Sequence, residues 1–166
     1  MPETGAKEFR WRTAASWAAV AVWMALIFFM SGRPMELSGA DSGRIAQMIV
    51  SLLEAAGARG RLNSEDVTLV LFVRKAGHFL EYSILTFLLM NAMLSAKPAG
   101  RGGKRDYKKV AAAAFLVALA YAVSDEIHQS FVPGRSMRAG DVAIDAASSF
   151  SAVLIYMRYV VRKKLF

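Results

Sequence analysis

The 166-residue chain contains no cysteine, which excludes disulfides and thiol catalysis. Histidine is almost as scarce, with only His78 and His128, and no HExxH or comparable zinc motif is present. No internal repeat occurs, and no low-complexity tract beyond one Gly/Lys-rich linker. A clear cleavage site is also missing. Lys7, Arg10 and Arg12 precede an apolar run as in a secretory signal, but Ser31-Gly32-Arg33-Pro34 matches the small-residue cleavage pattern poorly. An uncleaved first helix is therefore expected. The net charge is +8, yet the aromatics sit inside apolar runs rather than among the basic residues, so no nucleic-acid partner is expected.

Apolar sequence is abundant. Hydrophobic residues make up 55% of the chain and fall in blocks flanked by charge, the pattern of a membrane protein of one domain, residues 1–166. Thr13 to Met30 is uncharged and about as long as a bilayer-spanning helix. Arg33 to Lys75 is too polar to span. Within it Ile45, Met48, Ile49, Leu52, Leu53 and Ala56 repeat as one helical face, with Gly57 as a stop. That helix is expected to pack across the bundle or to lie on the membrane surface.

A further helix is predicted from Ser64, a good N-cap, with Glu65 and Asp66 in its first turn, through to about Ala96. Its fully apolar part, Ser83 to Ala96, is short for a span, so His78 and Glu81 must enter the polar interface or a cavity. After the basic linker 97–109, spans are expected over about 110–129 and 141–161, separated by the turn signal Val132-Pro133-Gly134. The fold class is thus all-α: a polytopic membrane protein with four transmembrane helices, over about 13–31, 78–96, 110–129 and 141–161, plus a short extracytoplasmic amphipathic helix. Short basic segments at both termini and at 97–109 predict cytoplasmic termini by the positive-inside rule. Residues 31–78 and 130–141 then lie outside.

One stretch breaks the apolar pattern. Ser124-Asp125-Glu126-Ile127-His128-Gln129 follows directly on the apolar run Val110 to Val123. Ionisable groups at such a depth are costly, at roughly 2.5–3.5 kcal/mol each on insertion scales. Helical spacing puts Lys75, His78, Glu81 and Tyr82 on one face, and Tyr121, Asp125, His128 and Gln129 on another, with Glu126 rotated away. Asp141 and Asp145 stand one turn apart, followed by Ser148 and Ser149, and the intervening loop adds Arg135 and Arg138. These groups are expected to meet at the outer end of the bundle, since no stable alternative leaves them in lipid.

Taken together and in order, Lys75-Ala-Gly-His78-Phe79-Leu-Glu81-Tyr82, Tyr121-Ala-Val-Ser-Asp125-Glu126-Ile-His128-Gln129, Phe131-Val-Pro133-Gly134-Arg135 and Asp141-Val142 resemble the VanZ-like family of bacterial membrane proteins. Asp145 stands where that family usually has asparagine. The resemblance implies a multi-pass protein of the bacterial cytoplasmic membrane, with a link to resistance against the glycopeptide teicoplanin. It does not imply a settled reaction.

Several uses of the polar residues are open from sequence. Two imidazoles and several carboxylates have the chemistry of a divalent-metal site, but no metal is assigned and no cofactor is identified. As acid–base machinery, His78 and His128 handle protons and are oriented by Glu81 and Asp125. Lys75 and Arg135 hold an anion, with Tyr82, Gln129, Asp141 and Asp145 completing the pocket. The expected function is binding or modification of an anionic group, on a membrane lipid or lipid-linked cell-wall precursor, at the outer leaflet. The alternative is a non-enzymatic protein. There Asp141 caps the fourth span, Asp125 pairs with Lys75 or Arg135, and the cluster presents a surface to an envelope partner.

Overall fold

A computed structural model describes residues 2–58, 60, 63–64, 66–96 and 106–161. Glu65, most of the linker and the Arg162-Lys163-Lys164 tail lie outside the described residues. Five α-helices follow one another: α1 (Pro2–Ser31), α2 (Met35–Ala55), α3 (Val67–Ser95), α4 (Tyr107–Gln129) and α5 (Ala139–Ile155). A π-helical segment, Tyr156–Val161, continues α5. Among the described residues there is no strand, so the expected all-α class holds.

Three helices are long and apolar enough to cross a membrane, over Lys7–Ser31, Tyr107–Gln129 and Ala139–Tyr159. Together they mark a membrane protein. The remaining predicted span, 78–96, lies in α3, which is 29 residues long, about 43 Å at 1.5 Å per residue. Arg74, Lys75, His78, Glu81 and Asn91 dilute its apolar content, and it is not among the three. Yet α3 is the centre of the fold. It packs against α1, α2, α4 and α5, and it buries Tyr82, Leu85, Thr86, Leu89, Met90 and Ala92.

Against this core α4 turns a stripe of small residues, Ala111, Ala114, Ala118 and Ala122, all buried. Side chains of one carbon let the helix backbones approach closely, which is how helices associate where lipid offers no hydrophobic driving force. Tyrosine, tryptophan and threonine supply cross-helix hydrogen bonds. Thr13 Oγ1 donates to the Ser95 carbonyl at 2.9 Å, and Trp23 Nε1 donates to the Glu81 carbonyl at 2.9 Å. The Tyr121 hydroxyl donates to the Met24 carbonyl at 2.6 Å, and that of Tyr156 to Asn91 Oδ1 at 2.7 Å.

Two local expectations are corrected. The N-cap of α3 is Asp66, not Ser64; its carboxylate accepts from the Thr68 amide at 2.8 Å. And α2 runs for 21 residues, well beyond the short helix read from Ile45 to Ala56. Its first turns, Met35-Glu-Leu-Ser-Gly-Ala-Asp-Ser-Gly-Arg44, carry too few apolar residues to show a period.

The apolar face of α2 does not pack across the bundle. Ile45, Met48, Leu52 and Leu53 are exposed, and the helix buries Ser42 and Ala46 instead. The polar edge of α2 is therefore the one that meets the rest of the protein, while its hydrophobic edge faces away.

Candidate functional site

Near Ser31, at the far end from Thr13 and Ser95, the last turn of α1, the first half of α3, the last turn of α4 and the first turns of α5 converge. The loop 130–138 folds over them. Gly134 takes φ +76° in the turn after α4, a left-handed conformation that side chains disfavour. A Cβ there would sit 3.0 Å from Met35 Cβ, because the turn lies against the start of α2. The Met35 amide donates to the Pro133 carbonyl at 3.3 Å and fixes that contact.

A relay of side chains runs through the junction. Ser31 Oγ and Gln129 Nε2 each donate to Asp125 Oδ2 at 2.8 Å. Arg135 Nη1 in turn donates to Gln129 Oε1 at 2.9 Å. Asp125 is thus held by a hydroxyl and an amide, and neither Lys75 nor Arg135 is paired with it directly. Burial, followed by the neighbouring Arg74, lowers the pKa of Arg135 from its ordinary value, while Asp125, Glu126 and Glu81 raise it. Its Nε is buried without a hydrogen-bond partner among the described residues.

Glu126 departs from the helical-wheel expectation. It is fully buried, and its Oε2 accepts from the Arg138 amide at 2.8 Å. The wheel placed it away from the pocket because it assumed one covered face. The loop 130–138 instead wraps the last turn of α4 and covers a second.

Asp141 is likewise no N-cap. Arg138 occupies that position with extended backbone and makes no side-chain capping bond. Asp141 pairs with Lys75 at 3.6 Å in a half-exposed contact, the kind worth about 0–1 kcal/mol.

The two histidines part company. His78 Nδ1 lies 3.9 Å from both Glu81 Oε2 and Asp145 Oδ1, a charge-pair distance too long for a hydrogen bond. Asp145 is buried, with Ser148 and Ser149 beside it in α5. His128 instead stacks on Phe28, with ring centroids 4.0 Å apart and planes inclined by 16°. Its Nδ1 has no hydrogen-bond partner among the described residues. The expected orientation of His128 by Asp125 is not formed: Ser31 and Gln129 engage Asp125 Oδ2, and neither Asp125 Oδ1 nor His128 Nδ1 has a hydrogen-bond partner among the described residues. Tyr82 is buried with its hydroxyl unpaired among the described residues.

Two cavities open on this cluster. The larger, about 150 Å³, is lined by Arg33, Asp41, Arg74, His78, Glu81 and Arg135 among others. The smaller, about 30 Å³, is lined by Lys75, Gln129, Ser136, Arg138 and Asp141 together with Arg74, His78 and Arg135. Arg74, His78 and Arg135 thus stand between the two, and His128 lines neither. Among the described residues no three His, Asp or Glu side chains gather as metal ligands.

A crevice of about 760 Å³ lies at the opposite end between α1 and α3, lined by residues such as Arg12, Ser16 and Asn91. It is larger but offers no comparable convergence of buried polar groups, which is the feature that marks a binding site. The sequence reading missed Arg74, although it stands one turn before His78. Arg33, Asp41 and Ser31 carried no signal, because their proximity depends on how α2 and α4 fold back.

The VanZ/LLP1 family model matches residues 16–162 of the chain. No curated protein and no solved structure matches it.

Proposed function

The chain belongs to the VanZ/LLP1 family, and on that premise we propose a cell-envelope protein that binds, and acts on, an anionic group at the outer leaflet. In this reading α3 is a fourth spanning helix, whose polar residues are tolerated because neighbouring helices cover them. In the same reading both termini are cytoplasmic and the cluster lies outside, which the basic segments support through the positive-inside rule. The anion is that of a membrane lipid or lipid-linked cell-wall precursor, and teicoplanin resistance is its physiological setting.

One observation carries the proposal. Arg74 and Arg135 line the same cavity, and Arg135 is a partly desolvated guanidinium with Nε unpartnered among the described residues. A guanidinium presents donors in a planar fork suited to phosphate or carboxylate, and interactions strengthen where water is scarce. Asp125 and Gln129 act as positioning residues that hold Arg135, rather than as proton carriers. Lys75 and Asp141 close the outer rim.

His78, 3.9 Å from two carboxylates, is the group placed to pass a proton to or from a bound anion. His128, stacked on Phe28, contributes packing. The non-enzymatic reading draws on the same relay, since Ser31, Asp125 and Gln129 tie α1 to α4. It accounts for those residues and for Nη1 of Arg135, but leaves Nε of Arg135 and Nδ1 of His78 buried without a hydrogen-bond partner among the described residues.

The test pairs binding with resistance. Arg135→Gln and His78→Ala should each weaken binding of phosphatidic acid to the detergent-solubilised protein about tenfold or more, the scale of one charge-assisted hydrogen bond. Both should also lower the teicoplanin tolerance conferred on a susceptible host, with membrane levels unchanged. His128→Ala should change affinity less than about twofold, as expected of a residue outside the cavity. Equal losses for His78→Ala and His128→Ala would overturn the assignment.

A further inference from the structure

We infer that the anion arrives on a lipid tail and enters the 150 Å³ cavity sideways from the bilayer, through a mouth between the end of α1 and the middle of α2. This rests on the anion-binding reading above and adds to it the route by which the headgroup enters. The lining of the cavity is mixed. Arg33, paired with Asp41, and Arg74, His78, Glu81 and Arg135 line it together with Met30 and Ile45. The last two are large apolar side chains, 43% and 45% exposed.

Each of these rim residues continues an exposed apolar track. Val22, Leu26 and Met30 are exposed and four apart, so they form one face of α1 running along the spanning segment. Ile45, Met48 and Leu52 are exposed at three- and four-residue spacing on α2. The two tracks meet at the cavity. At these two exposed positions the lining offers a hydrated anion no hydrogen bonds, and shedding its water there is unfavourable. The same rim suits the first methylenes of a chain whose charged end has already reached the arginines.

Size points the same way. At about 150 Å³ the cavity is well below the ~300–1,000 Å³ of pockets that enclose whole drug-sized ligands. It accepts a small headgroup such as a phosphate and leaves the remainder of the molecule outside, along the apolar tracks. The outward hydrophobic edge of α2 then has a role, seating that helix in the interfacial layer beside the mouth.

The chain has no native cysteine, so single reporters can be placed without background. Bimane on Met30→Cys, Ile45→Cys and, as reference, the exposed Leu116→Cys of α4 would be read in phosphatidylcholine nanodiscs. These would contain a small fraction of phosphatidic acid with brominated acyl chains, which quench on contact. Quenching at positions 30 and 45 should exceed that at 116 severalfold and saturate with phosphatidic acid. Brominated phosphatidylcholine should give no such excess, and Arg135→Gln should remove it. Unlabelled polyprenyl phosphate competing better than unlabelled phosphatidic acid would identify a prenyl tail, and the reverse an acyl tail; both uphold lateral delivery.

If the excess is absent while glycerol 3-phosphate binds in an Arg135-dependent manner, the anion comes from water. The lateral mouth is then wrong, though the anion site stands. If neither the lipid nor glycerol 3-phosphate responds to Arg135→Gln, the anion site itself fails.

Discussion

Replacing Gln129 with leucine, of similar size but without polar atoms, cuts the relay at its middle. Two things are lost: the donor to Asp125 Oδ2 and the acceptor for Arg135 Nη1, at 2.8 and 2.9 Å. Asp125 is buried and would keep only Ser31, and a lost hydrogen bond to a buried charge is worth about 1.5–3 kcal/mol. Arg135 is only partly buried and can recruit water, so its share is nearer ~0.5–1 kcal/mol. The expected loss is therefore about 2–4 kcal/mol. It can be read from reversible unfolding in mixed micelles followed by circular dichroism. Ser124→Ala, at the exposed position just before Asp125, should stay within about 0.5 kcal/mol. Arg135→Gln combined with Gln129→Leu should lose about 1 kcal/mol less than the sum of the two, because they share a bond. A loss below about 0.5 kcal/mol for Gln129→Leu, or strict additivity, would refute the relay.

Two further outcomes follow. Gly134→Ala forces a side chain into a left-handed backbone at φ +76° and against Met35, and should destabilise the protein by about 1–2 kcal/mol from the backbone alone. Spin labels on α2 and α4 should also report a shift between those helices; an unchanged distance and stability would show that the turn is not held against α2. For topology, a membrane-impermeant maleimide should label Ser136→Cys in intact cells and Lys108→Cys only after permeabilisation. The opposite pattern would invert the orientation.

Much of the architecture was legible because a bilayer imposes simple rules. The apolar runs that became α1, α4 and α5 announce themselves by length and lack of charge. The polar cluster was legible for the same reason, since Asp125, His128 and Asp145 stand where lipid would penalise them. Contacts made by folding back were not legible. Glu126 was misplaced because a helical wheel has no knowledge of the loop 130–138. Asp66 and Ser64 are both good caps two residues apart, and sequence gives no means of choosing between them. The pairing of Arg33 with Asp41 links the end of α1 to α2, helices that sequence reads as independent. The separate fates of His78 and His128 depended on Phe28, an aromatic in an apolar run that carried no mark of its partner.

Ser31 and Asp125 are 94 residues apart in the chain yet share a hydrogen bond. During synthesis at roughly 5–20 residues per second, roughly 5–20 seconds separate the appearance of one from that of the other. For that interval the tie between α1 and α4 is absent, and once His78 of α3 has been made it still waits for Asp145 of α5. The relay is therefore also a late event in the making of the chain. Its closure comes only after α4 and the loop beyond it have been made.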